Sequence, residues 1–441
     1  MAIAPAGNVT GSRAGATTKL GEATSDGAAP AGVRVVMDVR ALQEPTRAPR
    51  TAAYLEGLLG AFDAEPLPGE SFAFLLASDE ADPTQGYTRL SVIGRRLLPP
   101  TRLLRSAAAA VDPFLLRGAS LGAAWRAEDR GAAGAVYHTA GGGLPIGSRL
   151  PTVVTVLDLA PWEIPEAFGR TAAARFGLRL RTRLLRHAAA VLVGTEAVAR
   201  SARTLLHVRR DRIRVVALAP RSEFVAVAGA SPRRLSAARS LVRRLGSGER
   251  YLVYPGRHDV RQDAATLLRA MASLARAGRP AELPDDVGWP PRLLVLDATP
   301  DDRTALARIA ARYDAGDHLV YSPAMSVAEG AAVVAGARGV VLPAVADATG
   351  SLALDALGAG VPVVASAVGA LPEIVGTAGI IVEPRDPERL AAALAAAWGD
   401  GPVRAGIAAA ARERSISPRS WADVAADVRA IYAEVSRPSR L

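Results

Sequence analysis

Short unbroken apolar runs alternate with longer stretches of helical period along most of the chain. Runs at 33–39, 72–76, 135–138, 152–159, 190–194 and 213–216 predict buried strands. A second series lies at 252–257, 293–297, 318–321, 340–342, 361–365 and 379–382. Between the runs, residues 51–62 place Tyr54, Leu55, Leu58 and Leu59 on one helical face. Further helices are predicted at 167–189, after the capping pair Thr195-Glu196, at 263–277, 301–313, 352–357 and 387–398, with two more in 403–437. Apolar strands alternating with helices belong to parallel, doubly wound α/β sheets. Two such series predict two Rossmann-like domains, at 32–221 and 222–400, followed by C-terminal helices at 401–441. Residues 1–31 are rich in Ala, Gly, Ser and Thr without periodicity and are expected to form a disordered tail.

Composition narrows the function classes. The 441 residues are 50% hydrophobic, enough for two full cores, and the formal net charge is +10. Nearly all of that charge is arginine, and no aromatic-rich basic motif accompanies it, so nucleic acid is not an expected partner. A positive surface does suit an anionic membrane face, and the helix carrying Arg170, Arg175, Arg179, Arg181, Arg183 and Arg186 is one candidate contact. The same helix also reads as an ordinary crossover whose Phe176, Leu180 and Leu184 face the sheet. With no cysteine there is neither a disulfide framework nor thiol chemistry. No apolar run reaches the length of a membrane span and no signal-peptide core opens the chain, so a cytoplasmic location is expected.

The candidate chemistry gathers in 339–383. A strand there runs into a loop of small and polar residues, Asp347 to Ser351, that opens a helix carrying Asp355. Loops at the carboxyl ends of strands are where ligands bind in open α/β sheets, and free N–H groups at a helix start suit phosphate. A plain βα turn with a capping aspartate and a solvated helical aspartate fits the same residues. Two other features stand out, Gly256-Arg257 at the end of a predicted strand and His138 at the end of another. On the residues alone Arg257 reads as a surface arginine near a strand end and His138 as a satisfied strand-end histidine. Asp158 reads as a loop cap.

The run Pro343 to Ala356, with Gly360-Val361-Pro362-Val363 behind it, keeps the spacing of the pattern P-S-x-x-E-G-F-G-L-P-x-L-E-A-x-A-x-G-x-P-V, with aspartate at both glutamate positions. It resembles the donor segment of GT-B glycosyltransferases, in the retaining branch called glycosyltransferase family 4. The resemblance extends over about 33–435 and includes the stretch around 151–161, where Leu157 stands at a family histidine, and Arg257, with Gln262 at a family lysine. It implies two Rossmann-like domains facing across a cleft, with the last helix crossing back to the first domain. It implies transfer of a sugar from a nucleotide-diphosphate donor, of GDP-mannose or UDP-sugar type, to an acceptor hydroxyl with retention of configuration. No metal or other cofactor is expected beyond the nucleotide-sugar substrate. Catalytic roles then fall to Arg257, Asp347 and His138, and donor binding to Gly256, Arg257, Arg261, Thr349, Gly350, Ser351 and Asp355. Asp347 would hold sugar hydroxyls, Asp355 the ribose diol, and the N–H groups of 349–351 sugar or phosphate oxygens. The acceptor would be a glycan or a lipid-linked species, in cell-envelope or polysaccharide synthesis. The altered positions raise a second reading, a weakened or inactive homologue that binds a partner protein or a glycan.

Overall fold

A computed structural model describes residues 32–100, 108, 110–117, 134–141, 143–229, 235–246, 248 and 250–436. The predicted tail at 1–31 lies outside these residues.

Among the described residues, the first domain is one parallel sheet of seven strands: β1 (Arg34–Asp38), β2 (Ser71–Ala77), β3 (Val92–Leu98), β4 (Ala135–Ala140), β5 (Thr152–Thr155), β6 (Ala190–Val193) and β7 (Ile213–Val215). Their order is β3-β2-β1-β4-β5-β6-β7. The second sheet has six parallel strands: β8 (Leu252–Pro255), β9 (Leu293–Leu296), β10 (Leu319–Tyr321), β11 (Gly339–Leu342), β12 (Val363–Ser366) and β13 (Gly379–Val382), in the order β10-β9-β8-β11-β12-β13. The direction of winding reverses between β1 and β4 in one sheet and between β8 and β11 in the other. Each reversal leaves a crevice at the carboxyl ends of two strands, the position of ligand sites in such sheets.

Helices cover both faces. In the first domain α1 (Pro49–Ala64) starts on a proline and buries Tyr54, Leu55, Leu58, Leu59 and Phe62 against Val35, Met37, Phe72 and Phe74. Then come α2 (Ala172–His187) and α3 (Glu196–Leu206), whose N-cap Thr195 accepts a hydrogen bond from the Val198 N–H at 3.2 Å. The second domain has α4 (Ser236–Arg244), α5 (Ala264–Ala277), α6 (Pro300–Ala311), α7 (Val327–Ala335), α8 (Ser351–Gly358) and α9 (Pro387–Trp398). After α10 (Pro402–Ile416), α11 (Trp421–Ser436) leaves the second domain and packs on the first. Its Trp421 ring lies edge-on to Tyr54 with centroids 5.8 Å apart, and its Arg429 pairs with buried Glu70 at 2.7 Å. Val424, Val428 and Tyr432 complete the core under α1. Among the described residues, no helix is long and apolar enough to cross a membrane.

Candidate functional site

The loops after β8 and β11 are stitched into one unit at the second domain's crevice. The Asp263 N–H donates to the Pro343 carbonyl at 2.7 Å, and the Val345 N–H donates to the Arg261 carbonyl at 2.8 Å. Gln262 and Ala344 form an isolated antiparallel bridge between them. Gly256 lies so close to β9 that its N–H reaches the Leu296 carbonyl at 2.6 Å, and a Cβ there would sit 2.5 Å from that oxygen. Only glycine fits. Arg257 and Arg261 are thereby carried to the mouth of the crevice.

Asp347 closes its own loop. Its Oδ1 accepts from the Thr349 N–H at 3.0 Å, the Gly350 N–H at 2.9 Å and the Thr349 hydroxyl at 3.2 Å. Its backbone carbonyl accepts from Ala370 N–H at 2.8 Å. Gly350 holds φ +57° at the N-cap of α8. The structure therefore gives the N–H groups of Thr349 and Gly350 a carboxylate partner within the protein, not an open position for sugar or phosphate oxygens. The Ser351 N–H points to Thr349 Oγ1 at 3.4 Å. Asp355 is buried and bound to the segment that joins the domains. Its carboxylate accepts from the Arg221 backbone N–H and Nε, both at 2.9 Å, and not from an open ribose site. Burial raises the Asp355 pKa, and Arg221 only partly opposes it.

The two arginines at the crevice both reach the first domain. Arg257 donates through Nη2 to the Thr46 carbonyl at 2.9 Å and lies 3.7 Å from Asp302. Arg261 forks onto Asp158, with Nε to Oδ1 at 3.2 Å and Nη2 to Oδ2, while Nη1 reaches Asp259 at 3.3 Å. Its guanidinium lies 5.0 Å above the Phe168 ring. Asp158 also caps its loop, accepting from the Ala160 N–H at 3.0 Å. Burial pulls the Asp158 pKa upward, but the Arg261 hydrogen bonds and charge outweigh it and hold the group below its ordinary value. Nearby, Glu373 of the second domain accepts from the Glu196 and Ala197 N–H groups at 3.1 and 3.0 Å, capping α3 from across the cleft. Ala348 and Ala370 pack with Leu159 and Val198, and Ala346 packs with Ala160 and Ile164.

Opposite lies a cavity of about 290 Å³ at the carboxyl ends of β1 and β4. Arg40 spans it between Asp38 at 2.7 Å and Asp112 at 2.6 Å, and Thr51, Gly141 and Gly143 complete the wall. Beside it, Arg181 of α2 turns inward, donating to the Gly141 carbonyl at 2.8 Å over the Trp162 ring. Glu163 sits in the same cleft. Its burial, with Asp158 and Asp347 nearby, lifts its pKa to about 6. Arg40, Asp112, Arg181, Glu163, Arg221 and Glu373 were not singled out by the sequence as site residues. The strands around the Arg40 cavity were visible in the sequence as the runs 33–39 and 135–138, but the side chains gathered at their ends were not.

His138 does not reach this cleft. It lies mid-strand in β4, fully buried, with Nδ1 against the Tyr432 hydroxyl at 2.5 Å and Nε2 against Thr155 Oγ1 at 2.9 Å. Burial lowers its pKa to about 3, so the ring is neutral and structural. Leu157 is likewise core.

Residues 249–400 match the family model described as Glycosyl transferases group 1. A D-inositol 3-phosphate glycosyltransferase of Streptomyces griseus is 35% identical over 128 residues, 28% of this chain and 27% of its own. An MMP alpha-(1->4)-mannosyltransferase of Mycolicibacterium hassiacum is 31% identical over 169 residues, 38% of each chain. The matches therefore span well under half the length of these curated relatives. The solved structure of Anabaena Alr3699/HepE in complex with UDP-glucose superposes with a TM-score of 0.64 at 15% identity, covering 91% of this chain and 99% of that one. The chain has the GT-B fold, and its segment 249–400 carries the pattern of the group 1 glycosyltransferases.

Proposed function

We propose that the chain is a retaining glycosyltransferase, moving a sugar from a nucleoside-diphosphate donor of GDP-mannose or UDP-sugar type to an acceptor hydroxyl. The observation that carries this reading is the stitching of the loop after β8 to the loop after β11 at the second domain's crevice, through Arg261, Gln262 and Asp263 on Pro343, Ala344 and Val345, with a cavity at the β1/β4 crevice of the other domain. The UDP-glucose bound by the Anabaena protein of the same fold supports the donor class. In this reading Arg257 and Arg261 meet the charge of the leaving diphosphate without requiring a metal, and one such donor is worth about 3 kcal/mol in the barrier. The acceptor enters from the Arg40 cavity. The bond from the anomeric carbon to phosphate oxygen breaks, and the acceptor oxygen bonds on the same face. A phosphate oxygen takes the acceptor proton. A glycan or lipid-linked acceptor in envelope or polysaccharide synthesis fits, with the enzyme in the cytoplasm. Phe176, 55% exposed on α2 among outward arginines, supports contact with an anionic membrane face.

A second reading, a homologue that binds without turnover, is favoured by the engagement of the Asp347 and Asp355 carboxylates within the protein and by Leu157 in the core. Calorimetry with UDP and GDP tests the first reading. Wild-type protein should bind one of them, and Arg257→Ala should weaken that binding at least about tenfold. If the wild type binds neither, the donor reading is wrong. Binding without donor hydrolysis or transfer selects the second.

A further inference from the structure

The cations best placed to hold a diphosphate are, in this structure, the cations that tie the two domains together. Arg257 donates to the Thr46 carbonyl and Arg261 forks onto Asp158. The second contact has the geometry of an anion site. Two parallel N–H groups of Arg261 meet two oxygens of one carboxylate, the arrangement a guanidinium makes equally with carboxylate and with phosphate. Gln262, next in sequence, is uncharged and its backbone is locked against Ala344, while the guanidinium lies over the Phe168 ring and donates to Asp259. The carboxylate is fixed too, since Asp158 Oδ1 also accepts the Ala160 N–H.

We propose that Asp158 is a place-holder for donor phosphate: in this structure it occupies the anion position on Arg261, and the donor diphosphate displaces it. Asp158 is thus a positioning residue that acts through Arg261. It keeps the cation aimed at the crevice and sets the donor affinity by competing for it. It also follows that nucleotide binding breaks an interdomain tie. This inference rests on the donor reading above.

The test compares UDP and GDP binding by calorimetry in wild type, Asp158→Asn, Asp158→Glu, Arg261→Ala and the Asp158→Asn/Arg261→Ala double variant. Asp158→Asn should bind about tenfold more tightly than wild type, the scale of one close charge pair removed. Asp158→Glu should restore wild-type affinity, and the gain should vanish in the double variant. Unchanged or weaker binding by a folded Asp158→Asn overturns the proposal, as does a gain that survives without Arg261. If Arg257→Ala still weakens binding at least about tenfold in that case, the donor reading stands and only the role of Asp158 falls. Absence of binding in wild type and Asp158→Asn alike overturns both. A second measurement needs no variant. Saturating UDP or GDP should speed amide hydrogen exchange at 158–164 in the wild type, and slowed exchange there overturns the proposal.

Discussion

His138 is held as a neutral ring, with both nitrogens in hydrogen bonds and a pKa near 3. An unfolded histidine titrates near about 6.5. Between those values the unfolded chain binds a proton that the folded chain refuses, so stability falls as pH falls through that window. From pH 6.5 to pH 5 this one residue should cost about 2 kcal/mol. Urea titrations at the two pH values check it: His138→Gln should show a shallower pH dependence than wild type, and an equal slope would contradict the assignment. The sequence displayed His138, Arg261, Asp158 and Asp355 as single residues but not their partners. Asp158 and Arg261 are 103 positions apart, and Arg221 and Asp355 are 134 apart. No local period reports such pairings. A histidine at a strand end carries the same sequence pattern whether its ring faces a cleft or a core.

The donor-side loop depends on glycine where backbones touch. A Cβ on Gly369 would lie 1.9 Å from the Asp347 carbonyl oxygen, and its φ is +53°. Gly369→Ala should therefore destabilise by about 2–3 kcal/mol and weaken nucleoside-diphosphate binding. Gly406, in α10 with no atom near its would-be Cβ, provides the contrast, and Gly406→Ala should stabilise by about 0.5–1 kcal/mol. Thermal melts of the two variants decide, and a harmless Gly369→Ala would mean the loop adapts. Most strands were legible because both their faces are buried, as in β1, β6, β9, β11 and β12. β3 was not, because it is an edge strand with exposed Arg95, Arg96 and Leu97 that break the apolar run. The predicted strand 152–159 stops at Thr155, since Asp158 turns the chain to cap Ala160.

At the scale of the molecule, the first domain is completed by the last helix. Val424, Val428, Ile431 and Tyr432 of α11 are buried in its core. At about 1.5–3 kcal/mol for each large side chain, α11 contributes an amount comparable with the whole stability of a typical domain, about 5–15 kcal/mol. Residues 32–221 expressed alone should therefore melt without a cooperative transition, and a peptide spanning 417–441 should restore one. A sharp transition in the isolated fragment would show that α11 is dispensable. The two-domain plan was legible from the two series of strands. The cross-domain ties of Arg221, Arg257, Arg261 and Glu373 were not, because they depend on how the finished domains meet. The return of α11 also bears on birth at the ribosome. Its start at Trp421 emerges roughly 200 residues after the end of the domain it completes. At synthesis rates of roughly 5–20 residues per second, the groove over Tyr54 and Phe62 stays uncovered for about 10–40 s. A chaperone that shields nascent apolar surface would find its longest opportunity there, and the second domain, though made later, can finish folding first.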